Sequence, residues 1–138
     1  MRIMALDLGT KTIGVAVSDP LGYTAQGIKT IRRSGKKEDL AQLADLIKSY
    51  EVQEIIIGFP KNMNGTVGFK AQEVNSFIDI LKKEFNLDVR PWDERLSTKA
   101  GERMLIEGDV SRKKRKKVID TVAACLILQN YLDRKQNE

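Results

Sequence analysis

The chain has 138 residues, 24 lysines and arginines against 19 aspartates and glutamates, one cysteine and no histidine. That length suits one α/β-sized domain over residues 1–138 with no room for a second large lobe, and the missing histidine excludes Ser-His-Asp and Cys-His schemes and imidazole-bound zinc, leaving metal and proton work to carboxylates. The longest apolar run, Val122 to Leu128, is too short to span a bilayer, and no leader precedes Asp7, so residence in the cytoplasm, away from membranes, is expected.

Arg2 to Asp7 reads as a buried strand, and Ile13, Val15 and Val17 alternate with smaller or polar residues as a half-buried strand does. Gly9-Thr10-Lys11-Thr12 is the turn between them. Asp7 ends the first strand, where a buried carboxylate costs free energy unless it is paired or coordinates a cation. It reads either as a metal ligand or as the start of an Asx-turn. The pattern Asp7-Leu8-Gly9-Thr10 also suits the phosphate-binding hairpin of sugar kinases, actin and Hsp70. A third strand is predicted over Ala25 to Ile31, after the turn signal Asp19-Pro20-Leu21-Gly22.

Leu40, Leu43, Ala44 and Ile47 share one helical face, and Ile55-Ile56-Ile57 is a short strand buried on both sides. Gly58-Phe59-Pro60 is predicted to end that strand and Lys61 to Gly68 to form a loop. Gly58, Pro60, Asn64 and Gly65 are candidate site-loop residues, where glycines and amides let a nucleic-acid backbone approach; a tight turn is the simpler role for most of them. Val74, Phe77, Ile78, Leu81 and Phe85 form the clearest helical stripe. Leu87 to Pro91 reads as a fifth strand, followed by Asp93-Glu94-Arg95. In an extended chain Asp93 and Glu94 point to opposite faces, so one of them reaches a shared crevice at short range; a surface pair of Glu94 with Arg95 is the plainer alternative.

Ser97 suits the N-cap of a helix through Ile106 that stops at Gly108, and a last helix is predicted over Val118 to Leu132, with a polar tail from Asp133 that frays. Cys125 fits a small core position on it. Asp120 faces inward on that helix, because Ala123, Ala124, Ile127, Leu128 and Tyr131 follow it at helical spacing. A ligand to metal and a carboxylate bonded to backbone amides are both compatible with that place. Arg112, Lys113, Lys114, Arg115, Lys116 and Lys117 precede it; without those six, 18 cations face 19 acids. The positive balance is thus expected as one local patch. Cations at a helix start oppose the macrodipole and favour an anion nearby, such as phosphate, although a solvated surface accounts for many such runs.

Three strands that can pair antiparallel, followed by α-β-α-β-α-α, imply a five-stranded mixed sheet, with helices on both faces and ligands at the strand ends. Asp7-Leu8-Gly9-Thr10-Lys11 with Ile13-Gly14-Val15-Ala16-Val17-Ser18-Asp19, Gly58-Phe59-Pro60 with Asn64-Gly65-Thr66, Asp93-Glu94-Arg95-Leu96-Ser97-Thr98, and Lys116-Lys117-Val118-Ile119-Asp120 with Ala123-Ala124 together resemble the YqgF-type, Holliday-junction-resolvase-like proteins of bacteria. That family is described as nucleases processing the 5′ end of pre-16S rRNA. The resemblance covers nearly the whole chain and implies a ribonuclease H-like fold and a two-metal endonuclease, with Asp7, Glu94 and Asp120 holding Mg2+ or Mn2+. It departs at Thr12, where many relatives carry Arg, and at Asn64, where Asp-Gly is common. Lys11 and the run Arg112 to Lys117 would then grip RNA or branched DNA, by a monomer or a homodimer. An ATP-handling enzyme would need a second lobe, and a non-catalytic nucleic-acid-binding module is the remaining alternative.

Overall fold

The computed structural model describes the backbone of residues 2–59, 65–93 and 112–136, and the side chains of residues 2–59, 70–92 and 121–136. The elements are β1 (Arg2–Leu8), β2 (Thr12–Ser18), β3 (Ala25–Arg32), α1 (Lys36–Tyr50), β4 (Val52–Phe59), α2 (Gly65–Phe85), β5 (Asp88–Asp93) and α3 (Arg112–Gln136). The strands form one sheet in the order β3-β2-β1-β4-β5. β1 pairs antiparallel with β2, and β2 with β3, whereas β4 runs parallel to β1 and β5 parallel to β4. The mixed sheet read from the sequence is the sheet observed.

Period-two alternation divides the core between the two faces of this sheet. Met4, Leu6 and Leu8 of β1 pack with Ile13, Val15, Ile55 and Ile57 against Leu40 and Leu43 of α1 and Val74, Ile78 and Leu81 of α2. Ile3 and Ala5 pack with Ala16 and Ile56 against Ala124, Ile127, Leu128, Tyr131 and Leu132 of α3. Small alanines on this second face let α3 lie close to the sheet. Cys125 is half-buried at the edge of the same cluster rather than within the core, and burial pushes its thiol pKa up.

Several boundaries differ from the sequence reading. β4 continues through Gly58 and Phe59, because Gly58 pairs with Trp92 and Phe59 with Asp93; ladder hydrogen bonds outweigh the weak strand preference of glycine. β5 runs on to Asp93 past Pro91, which an edge strand tolerates on its outer side. Asp93 is therefore a strand residue, not a loop residue. Helix α2 starts at Gly65, so Gly65 to Gly68 are helical rather than loop. First-turn amides are unpaired in any helix, and the stripe of Val74, Ile78 and Leu81 extends back to buried Ala71.

The last helix begins six residues earlier than Val118 and ends at Gln136. Its C-terminal turns are held by contacts the sequence does not announce. Gln136 donates from Nε2 to the Gly22 carbonyl at 3.1 Å, and Gln129 donates to the Tyr23 carbonyl while accepting from the Ala25 amide. Tyr131 donates its hydroxyl to Glu54, which is only 5% exposed. Lys135 stands 3.5 Å from the same carboxylate and Arg90 3.8 Å. Burial, first, and then the hydrogen bond to Glu54 push the Tyr131 pKa up to about 12. The predicted turn at Asp19 is present: its carboxylate accepts from the amides of Thr24, Tyr23 and Leu21, which holds its pKa below the ordinary value, and Gly22 takes the left-handed φ of 77°.

Candidate active site

Asp7 is 8% exposed and follows Ala5 by two residues, so it stands on the face of β1 that α3 covers. Its partner on β2 is Gly14. On β4 the register pairs Leu6 with Ile57, and one further step brings Gly58 to the other side of Asp7. Neither neighbouring strand therefore sets a side chain beside this carboxylate. Backbone on both neighbouring strands leaves room for a small cation and its ligands, and a buried acid there supplies charge for one.

Helix α3 crosses this face antiparallel to β1, since Thr121 meets Thr30 near the end of β3 whereas Gln129 meets Ala25 at its start. Ala124 packs in the cluster of Ala5 and Ala16. One turn back along α3, about 5.4 Å, is position 120. Two residues onward along β1, about 6.6 Å in the same direction, is Asp7. Position 120 also shares the helix face of Ala123, Ala124 and Ile127, all buried, so positions 7 and 120 lie toward the same end of the face that α3 covers.

The seat of α3 beside that place is tight. Thr30 and Thr121 share a hydroxyl–hydroxyl hydrogen bond of 2.5 Å, and Thr30 pairs with Gly14, itself the partner of Asp7. Gly27 lies directly under Thr121, whose Cγ2 would stand 2.6 Å from a Cβ at that position. Neither Thr30 nor Gly27 is singled out by any sequence motif.

Arg33 is another residue that sequence reasoning passes over. Its Nη1 donates to the Gly9 carbonyl at 2.6 Å and to Glu73 Oε1 at 2.9 Å, and its amide donates to the Lys11 carbonyl at 2.8 Å. With the Gly9 amide donating to the Thr12 carbonyl at 2.8 Å, the Gly9–Lys11 turn is fastened to β3 and α2, leaving Thr10 and Lys11 exposed.

The other predicted site residues are distributed as follows. Gly58 sits in β4, Gly65 at the start of α2, and Asp93 at the end of β5 opposite Phe59. Arg112 to Lys117 lie in the first turns of α3, rather than ahead of it. Pro60, Asn64, Glu94, Arg95 and the helix predicted from Ser97 fall outside the described residues. Among the described residues no cluster of three or more acids could hold a metal ion, and of the three predicted ligands only Asp7 has a described side chain.

The alignment of elements gives this end of the sheet a common character. β1, β3, β4 and β5 end there and α1, α2 and α3 begin there, so three helix N-termini, each carrying partial positive charge, lie at this end of the sheet, those of α1 and α2 on one face and that of α3 on the face of Asp7. The RuvX family, described as Holliday junction resolvase, matches residues 1–134. The chain belongs to the RuvX family. Its relatives include proteins named "Putative pre-16S rRNA nuclease". That of Clostridioides difficile is 60% identical over 136 residues, spanning 99% of this chain and 96% of that protein. That of Clostridium tetani is 54% identical over 138 residues, the whole of both. Among solved structures, Thermus thermophilus RuvC in complex with Holliday junction substrate superposes with a TM-score of 0.61 at 12% identity, covering 99% of this chain and 96% of that one. The fowlpox virus Holliday junction resolvase gives 0.59 at 17% identity over 98% and 99%. At these identities the likeness is one of fold, and that fold is ribonuclease H-like.

Proposed function

We propose that this RuvX family member is a cytoplasmic, metal-dependent endonuclease that hydrolyses nucleic-acid phosphodiester bonds, with precursor 16S rRNA as its substrate. The observation that carries the reading is the place of Asp7: buried, near the end of the central strand and between two glycines; the course of α3, which runs position 120 toward the same end of the sheet, supports it. Asp7, Glu94 and Asp120 are the residues that would hold Mg2+ or Mn2+. Glu94 is preferred to Asp93 because the family resemblance implies it; a chain that stayed extended would also give it the parity of Trp92, which packs on the α3 side of the sheet. Two such ions, when bound, lower the pKa of a water and stabilise charge on the departing oxygen.

The protein's own residues supply the rest. Carboxylates alone would repel the phosphate diester, so Lys11, on its fastened turn, and Arg112 to Lys117 offset that repulsion and hold the strand. The names of the relatives favour rRNA precursors; the description of the family and the two resolvase neighbours support branched DNA as a second substrate. Labelled precursor rRNA and a four-way DNA junction, each incubated with the protein and Mn2+ or with EDTA, test both. The expected result is cleavage that EDTA abolishes and that Asp7→Asn and Asp120→Asn lose while still binding. Binding without any cut in wild type would instead indicate a non-catalytic module.

A further inference from the structure

The basic run on α3 is not the whole of the positive surface. Lys29, Arg32, Arg33, Lys36 and Lys37 place five cations within nine residues, and the fold sets Lys11 beside them, because Thr12 pairs with Arg32 and the Lys11 carbonyl accepts from the Arg33 amide. The nearby acids are largely committed. Glu73 pairs with Arg33, and Asp39 is 4% exposed and accepts from the Ser34 amide at 3.0 Å. Glu38 is the remaining acid of the corner. Lys11, Arg32, Lys36 and Lys37 are exposed, and none forms an ion pair with an acid among the described residues.

Position makes this corner more than a solvated edge. Arg32 has the parity of Thr30, so it stands on the α3 side of the sheet, the side of Asp7. It lies two strands from β1, roughly 10 Å. Lys36 and Lys37 open α1 at the same end of the sheet. Helix α3 begins nine residues before Thr121, about 13 Å of helix; Thr121 meets Thr30 two residues before β3 ends, so the start of the helix, with the basic run, reaches past that end. Cations therefore stand at two places beside the row of Asp7, with the crevice among them. A linear polyanion crossing the crevice meets charge at both; a duplex strand carries one phosphate per 3.4 Å of axis, so about three phosphates span the distance from β1 to Arg32.

We infer that Lys11, Arg32, Lys36 and Lys37 form a second grip on the phosphate backbone of the nucleic-acid substrate, at the corner of the β1–β2 turn and the start of α1. Arg33 is the builder of this corner, holding Gly9 and Lys11 in place with its charge matched by Glu73. The inference rests on the nuclease reading above, and its test separates the two.

The experiment measures binding of a labelled single-stranded RNA and of a four-way DNA junction across a salt series, with calcium in place of magnesium. Wild type is compared with Arg32→Gln/Lys36→Gln/Lys37→Gln, with a Lys113→Gln/Lys114→Gln/Lys116→Gln variant, and with Lys82→Gln/Lys83→Gln at the far end of α2. For the RNA the first variant should lower the slope of log affinity against log salt by about 2, so that the affinity lost between 50 and 200 mM salt shrinks by roughly 20-fold. The far-end variant should match wild type, and thermal melts should show all four proteins folded. An unchanged slope in the corner variant beside a reduced one in the basic-run variant overturns the second grip alone, and so does an equal loss in the far-end variant. Wild type that binds neither probe overturns the nuclease reading itself.

Discussion

Replacing Gly27 by alanine tests whether the seat of α3 sets the geometry of the site. The new Cβ would stand 2.6 Å from Thr121 Cγ2 and 3.2 Å from Cys125 Sγ, whereas carbon atoms pack at about 3.5–4.0 Å. Helix and strand must separate by roughly 1 Å, and overpacking of this kind costs about 1–3 kcal/mol of stability. Position 120 is the next residue on the helix and moves with Thr121. A misplacement of about 1 Å at a reacting centre costs on the order of 100-fold in rate, so Gly27→Ala should cut far more slowly than its lost stability alone implies. Thr121→Ser removes the offending methyl and keeps the hydroxyl that meets Thr30, and Gly27→Ala/Thr121→Ser should recover most of both losses. The assay is single-turnover cleavage of labelled precursor rRNA with Mn2+, run beside thermal unfolding. Full-rate cleavage by Gly27→Ala, or a double variant as slow as the single one, would refute the reasoning.

Three further outcomes are expected. The native state keeps the Tyr131 proton up to about pH 12, whereas an unfolded tyrosine releases it near 10. Its contribution to stability is complete below pH 10 and is lost as pH rises toward 12; denaturant midpoints for Tyr131→Phe should lack that part of the wild-type decline. Leu128 is fully buried between α3 and the sheet, so Leu128→Ala should lower the unfolding free energy by about 2–5 kcal/mol, read by urea denaturation. EDTA should stop cleavage while leaving the far-ultraviolet circular dichroism spectrum intact, and either Mg2+ or Mn2+ should restore it; loss of helix signal on chelation would instead point to a structural ion.

Much of the fold was legible because its signals are local. Ile13, Val15 and Val17 alternate, Ile55-Ile56-Ile57 is β-branched, and Val74, Ile78 and Leu81 recur at helical spacing; all become core. The Ala123-to-Tyr131 stripe placed position 120 on the inward face, and a carboxylate after Met4-Ala5-Leu6 marked the end of the central strand. What escaped depends on distant partners. Gly58 and Pro91 read as stops, yet pairing with neighbours carries both strands past them. Six adjacent cations argue against a helix by local repulsion, yet α3 begins at Arg112. The corner of Lys11, Arg32, Lys36 and Lys37 was hidden by arithmetic: acids elsewhere in the chain cancel those charges in the total, but not in space. Thr30 and Gly27 matter only because α3 lies on them.

The bond between Tyr131 and Glu54 gives α3 its anchorage at the far end of the sheet, eleven residues and about 16 Å of helix from position 120. Durability and the proposed chemistry thus reside in different stretches of one element. A lineage facing heat could strengthen the mooring around Glu54, Arg90 and Lys135 without disturbing the acids proposed to hold metal, and an engineer could do the same.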